Sequence, residues 1–153
     1  MRTDEFDSSI QRLVGPIVEP WGFTSTGGKG CSFRRQVSDD LFHFIVFDIK
    51  KNRQEFEVQV FPATPKLGKD QWAGFPNFVG IPTGTEAGLN AKSGVGGGAS
   101  RFSCRDAASL QTVVSRVVIP ALETHVRSYF SSIQTIADII PVLEHAHLAE
   151  LLR

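Results

Sequence analysis

The sequence predicts an α+β domain, an antiparallel sheet of about four strands with an N-terminal helix and C-terminal helices packed on it. Apolar residues recur at helical spacing near both ends of the chain. Between them, three short strand-like runs are joined by polar turns. The order helix, meander, long loop, strand, helices completes the pattern.

The first helix opens at Thr3 or Asp4, either of which suits a cap, and its stripe is Phe6, Ile10, Leu13, Val14, Ile17 and Val18. Gly15-Pro16 lies inside that stripe and is expected to bend or shorten the helix. Pro20 and Trp21-Gly22 close it.

After a turn rich in glycine (Gly27, Gly28, Gly30), a first strand runs from about Cys31 to Val37, with Cys31, Phe33, Arg35 and Val37 alternating against polar neighbours. Ser38-Asp39-Asp40 is a turn. Leu41 to Ile49 is a second strand, apolar at nearly every position, as a central strand covered on both faces should be. Lys50 to Gln54 turns the chain again. Glu55 to Phe61 follows as a third strand, with Phe56, Val58 and Val60 on one face.

The pattern stops over a long loop at about 62–100, which holds four of the eight prolines and nine of the fourteen glycines. Loops of this length are uncommon in compact domains and usually functional or mobile. Trp72, Phe75 and Phe78 within it need somewhere to pack. A short strand at about Arg101 to Arg105 precedes Asp106, the cap of a long helix through Phe130. The stripe of that helix is Leu110, Val113, Val114, Val117, Val118, Leu122, Val126 and Phe130, and Pro120 should kink it. Ser131 or Ser132 starts a further short helix to Ile140, and Pro141 opens a last one over Val142 to Arg153.

At 153 residues the chain is read as one domain, 1–153, since two cores would each be marginal. Hydrophobic residues make up 41% and charged residues 21%, ordinary for a folded protein. Sixteen basic residues balance sixteen acidic ones, so no net field draws nucleic acid or an anionic membrane. The polar, acidic start has no apolar run behind it, and no stretch is long enough to span a bilayer. The expectation is a cytoplasmic protein. Cys31 and Cys104 read as small apolar strand residues in a reducing compartment. Distant strands can be neighbours, which leaves a bridge between them open.

Chemistry-bearing motifs fail on their mechanics. Gly94-Val95-Gly96-Gly97-Gly98-Ala99 has dinucleotide-like spacing, but the motif needs a strand before it and a helix N-terminus directly after it. Here a strand follows. Gly22 to Lys29 misses a phosphate-binding loop by an extra glycine, and Gly30 stands where a hydroxyl is needed. His145 and His147 are two apart on a helix and point apart, while Glu144 and His147 make only a lone pair. His125 suits a helix C-terminus. No metal site and no cofactor are expected.

Two readings of function follow. The leading one is a non-enzymatic protein-binding or regulatory module presenting Trp72, Phe75 and Phe78 to a protein partner. The alternative is a small-ligand binder or enzyme with a pocket between sheet and long loop, with Arg35, His43 and Asp48 supplying polarity. Asp48 is the most unusual carboxylate, set in an apolar strand where burial would raise its pKa; pairing or exposure is the plainer explanation. Arg34 and Arg35 fall on opposite faces of their strand, and Lys50-Lys51-Asn52-Arg53 reads as a solvated turn, so nucleic-acid binding is not expected.

Several of these segments together have a familiar look. Trp21-Gly22-Phe23 after an amphipathic helix, then Phe33-x-Arg35, then Phe44-Ile45-Val46-Phe47-Asp48-Ile49-Lys50 and Phe56-x-Val58, resembles a bacterial domain-of-unknown-function family, number 4304. Asp106 to Phe130, with its late proline, is similar as well. The loop at 62–100 departs from that pattern. The resemblance implies the fold and brings no activity with it.

Overall fold

The computed structural model describes residues 1–26, 31–64 and 101–139. Helix α1 spans Thr3–Val18 and is followed by a 3-10 turn, Glu19–Trp21. The strands are β1 (Thr24–Ser25), β2 (Cys31–Ser38), β3 (Leu41–Ile49), β4 (Glu55–Ala63) and β5 (Phe102–Ser103). They form one antiparallel sheet in the order β1-β2-β3-β4-β5, an α+β fold as expected with one strand more. The extra strand is β1, two residues that pair Thr24 with Arg34 and Ser25 with Phe33. Two exposed polar residues carry no period-2 signal, so hydrophobic patterning could not find them.

Helix α1 differs from expectation at its N-terminus and at Pro16. Arg2 sits at its N-cap without a side-chain cap, which places Thr3 and Asp4 in the first turn. Acidic Asp4 and Glu5 there oppose the positive end of the helix dipole. The helix runs on through Pro16, which is exposed; the ring lies on the solvent side while Phe6, Ile10, Val14 and Val18 are buried.

After β5, Asp106 caps the next helix. Its carboxylate accepts from the Ser109 backbone N–H at 2.7 Å, and the Ser109 hydroxyl lies 3.2 Å from the Asp106 N–H that donates to it, a reciprocal box. From there α2 continues unbroken, but not as plain α-helix. The α-helical turns Ala107–Val113, Ile119–Ala121 and Arg127–Ser131 alternate with π-helical Val114–Val118 and Leu122–Val126. The buried residues explain the alternation. Leu110, Val114, Val118, Leu122, Val126 and Phe130 recur every fourth residue. In an α-helix of 3.6 residues per turn such a stripe drifts by about 40° per step. Wider π turns cancel the drift and hold all six on the sheet. They also flank Pro120, whose missing N–H and bulky ring disfavour a regular turn. Helix α3, Ile136–Ile139, ends the described chain.

Helices α1 and α2 cover one face of the sheet. That face carries Cys31, Phe33 and Arg35 of β2, and His43, Ile45 and Phe47 of β3 opposite them. Val60 and Val58 of β4 continue the rows. Phe6 of α1 meets Phe56 at 5.2 Å between ring centroids, and Phe56 meets Phe102 at 5.5 Å. The other face is mixed. Phe44 and Phe61 are buried and stack at 5.6 Å, while Arg34 is exposed. A second apolar cluster of Leu41, Ile133 and Ile139 closes the end of the sheet where α3 meets the β2–β3 hairpin. Among the described residues, no helix is long and apolar enough to cross a membrane.

Candidate functional site

The polar side chains of the helix-covered face gather at one place, between the first turn after α1 and the end of α2. The turn is built by Gly22, whose φ of 95° is left-handed and suits glycine. A Cβ there would also lie 3.3 Å from the Arg35 Cδ, a tight contact added to a conformation that L side chains rarely adopt. The turn aims the Trp21 carbonyl into the structure, where Arg35 Nη1 donates to it at 2.9 Å. Arg35 and His43 are cross-strand partners, and Arg35 Nη2 donates to His43 Nδ1 at 2.8 Å.

That bond fixes the histidine. Arginine has no lone pair to offer, so Nδ1 must accept. The proton then sits on Nε2, which donates to the Ile133 carbonyl at 2.7 Å. The ring is fully buried and stacks on Phe130, 4.3 Å between centroids and 11° from parallel. Burial, and next the Arg35 charge, push its pKa down to about 4, against the pull of the Ile133 carbonyl. His43 is a neutral clamp that ties the segment after α2 to the centre of the sheet.

Arg35 is half-buried, with its guanidinium over Phe23 at 4.7 Å and over Phe130 at 5.8 Å. Its Nε is buried without a hydrogen-bond partner. Burial and then the nearby Arg127 charge lower its pKa. Arg127 is exposed and lies over the partly buried Trp21 ring at 4.8 Å. Two guanidiniums thus meet at one tryptophan. Ion pairs among the described residues involve Arg2, Lys50 and Arg101, none of them at this corner.

Asp48 lies elsewhere. In the pairing of β3 with β4 it stands opposite Glu57, on the face away from the helices. Lys50 Nζ joins these two carboxylates at 2.9 Å and 2.7 Å, and Arg101 approaches Glu57 at 3.5 Å. Burial pulls the Lys50 ammonium down, but its bonds to Glu57 and Asp48 outweigh that and hold it above the ordinary lysine value. The structure therefore brings Arg35 and His43 together and separates Asp48 from them. Trp72, Phe75 and Phe78 lie outside the described residues, as do Glu144, His145, His147 and the glycine run at 94–98.

His125 is exposed on α2. No group of three metal-ligating side chains occurs among the described residues. Cys31 and Cys104 are both free and buried. Burial, with Asp7 adding to it, pushes the Cys31 thiol up to about 12, despite the opposing Gln11 hydrogen bond, which makes it a poor nucleophile.

Trp21 and Arg127 are the residues that sequence reasoning passes over. Trp21 reads as part of a helix terminator, and Arg127 belongs to no motif in the sequence. Only tertiary packing sets them against each other. No family model matches the chain, and neither a curated protein nor a solved structure does. The resemblance to family 4304 stands on the sequence motifs alone.

Proposed function

We propose that this chain is a non-enzymatic binding module that engages a protein partner, and that the corner of Trp21, Arg127 and Arg35 is part of the contact surface. One observation supports this above others: an accessible arginine lies over a partly buried tryptophan, and no carboxylate among the described residues pairs with either guanidinium. Tryptophan and arginine are the side chains that most often dominate binding energy at interfaces. The partner that suits this corner is acidic. In the same reading, Trp72, Phe75 and Phe78 of the 62–100 loop supply apolar anchors, and the setting is cytoplasmic.

A pocket-based enzyme or ligand binder has less in its favour. Both ring nitrogens of His43 are engaged, with Arg35 and the Ile133 carbonyl, and Arg35 also donates inward to the Trp21 carbonyl. Asp48 faces away from both.

Affinity capture from host lysate tests the proposal, with wild-type and Arg127→Glu proteins as bait. A specific protein retained by the wild type and lost from the charge-reversed bait is expected, because a reversed charge at an acidic contact is repulsive. Identical retention by both baits would remove the corner from the interface.

A further inference from the structure

We propose that Arg127, backed by Arg35, forms a recognition site for a single oxyanion group, a carboxylate or a phosphoryl group, at the Trp21 corner. The inference deepens the binding reading and rests on it only in supposing that this corner faces a ligand. It starts from a cost. Setting two like charges near one another without a counter-charge opposes folding, and burying one of them adds desolvation. Arg35 bears both penalties. It is half-buried and beside Arg127, and none of the ion pairs among the described residues involves it.

The two arginines have different tasks in the site. Arg35 is committed inward, with Nη1 on the Trp21 carbonyl, Nη2 on His43 and Nε buried. It cannot turn out to grip a ligand, so its contribution is fixed positive potential, little screened because the group is half-buried. Arg127 is the gripping residue. It is exposed, and its side chain makes no hydrogen bond among the described residues. Its place over the indole limits the directions its guanidinium takes. A planar fork held over an aromatic ring keeps the geometry that pairs bidentately with a carboxylate or phosphoryl group. The acidic residues closest in sequence do not occupy it. Glu123, one turn earlier on α2, and Glu19, in the 3-10 turn, are exposed and belong to none of the ion pairs found among the described residues.

Trp21 supplies a direct readout. The chain has two tryptophans, so Trp72→Phe leaves Trp21 as the sole indole. In that background, Trp21 fluorescence is titrated with sodium phosphate and separately with sodium acetate, at ionic strength held constant with sodium chloride. A saturable change with at least one of the two is expected. Arg127→Ala should raise its midpoint about tenfold, the loss that goes with one charge-assisted hydrogen bond. Saturation by phosphate alone assigns a phosphoryl group; saturation by acetate alone assigns a carboxylate. No saturable change with either salt overturns the site, as does a midpoint that Arg127→Ala leaves unmoved. If Arg127→Glu abolishes protein capture while neither anion titrates, the oxyanion site fails and the binding reading survives.

Discussion

At the scale of single residues, His43 is the group whose chemistry is most fully determined. Its Nδ1 accepts from Arg35 and its Nε2 donates to Ile133, so the native state holds it neutral, with a pKa of about 4 against an ordinary 6.5. The unfolded chain therefore binds a proton on this residue between about pH 6.5 and pH 4, and the native state does not. Stability rises with pH wherever the unfolded state holds more protons. His43 thus contributes its full stabilisation above pH 6.5 and loses it as the pH falls toward 4, a change of roughly 3 kcal/mol at about 1.4 kcal/mol per pKa unit. Asp7 works in the opposite sense, since burial and then the Asp4 charge raise its pKa. Urea denaturation at several pH values between 7.5 and 4.5 measures the slope. In His43→Gln, which keeps a hydrogen-bonding side chain and removes the titration, the slope should largely vanish. An equal slope in wild type and variant would show that His43 does not set the acid sensitivity.

Among the elements, α2 shows how far the sequence was legible and where it stopped. Its stripe, its Asp106 cap and its end near Phe130 are all readable as letters, because period, capping chemistry and length are local properties. Its π turns are also written there, in the strict four-residue repeat from Leu110 to Phe130, but a pattern search tuned to 3.6 accepts that repeat as ordinary helix. The same limit applied at the site. Arg35 and His43 could be named as polar residues on apolar strands, yet their pairing depends on strand register. Trp21 and Arg127 meet only through the packing of α1's end against α2.

The repeat leads to a prediction about deletions. A π turn already carries one residue more than an α turn, so removing exposed Arg116 from Val114–Val118 lets that stretch relax to α-helix, with the stripe still facing the sheet. Removing exposed Gln111 from the regular segment Ala107–Val113 has no such slack and turns everything after it by about 100°. Circular dichroism melts should show a cooperative transition for the Arg116 deletion and its loss for the Gln111 deletion. Equal damage from both would mean that the π turns do not serve the register.

For the molecule as a whole, the question is how the described frame relates to Trp72, Phe75 and Phe78. The frame has a coherent core of its own: α1 and α2 bury one face of the sheet, and Phe6, Phe33, Phe47, Phe56 and Phe130 fill it with rings. Each strand pairs with its neighbour in sequence, so β5 alone is reached across a long stretch of chain. A frame so constituted does not need three aromatics from the 62–100 loop to close its helix-covered side. If they serve a partner, as proposed, changing all three to alanine should leave the melting temperature nearly where it was and weaken capture of that partner. If they are core, the cost is that of large-to-small substitutions, about 3–5 kcal/mol for each buried ring. For a domain of this size that is a fall of many degrees. The thermal melt of the triple variant separates the cases, and a large fall would reassign these aromatics from recognition to folding.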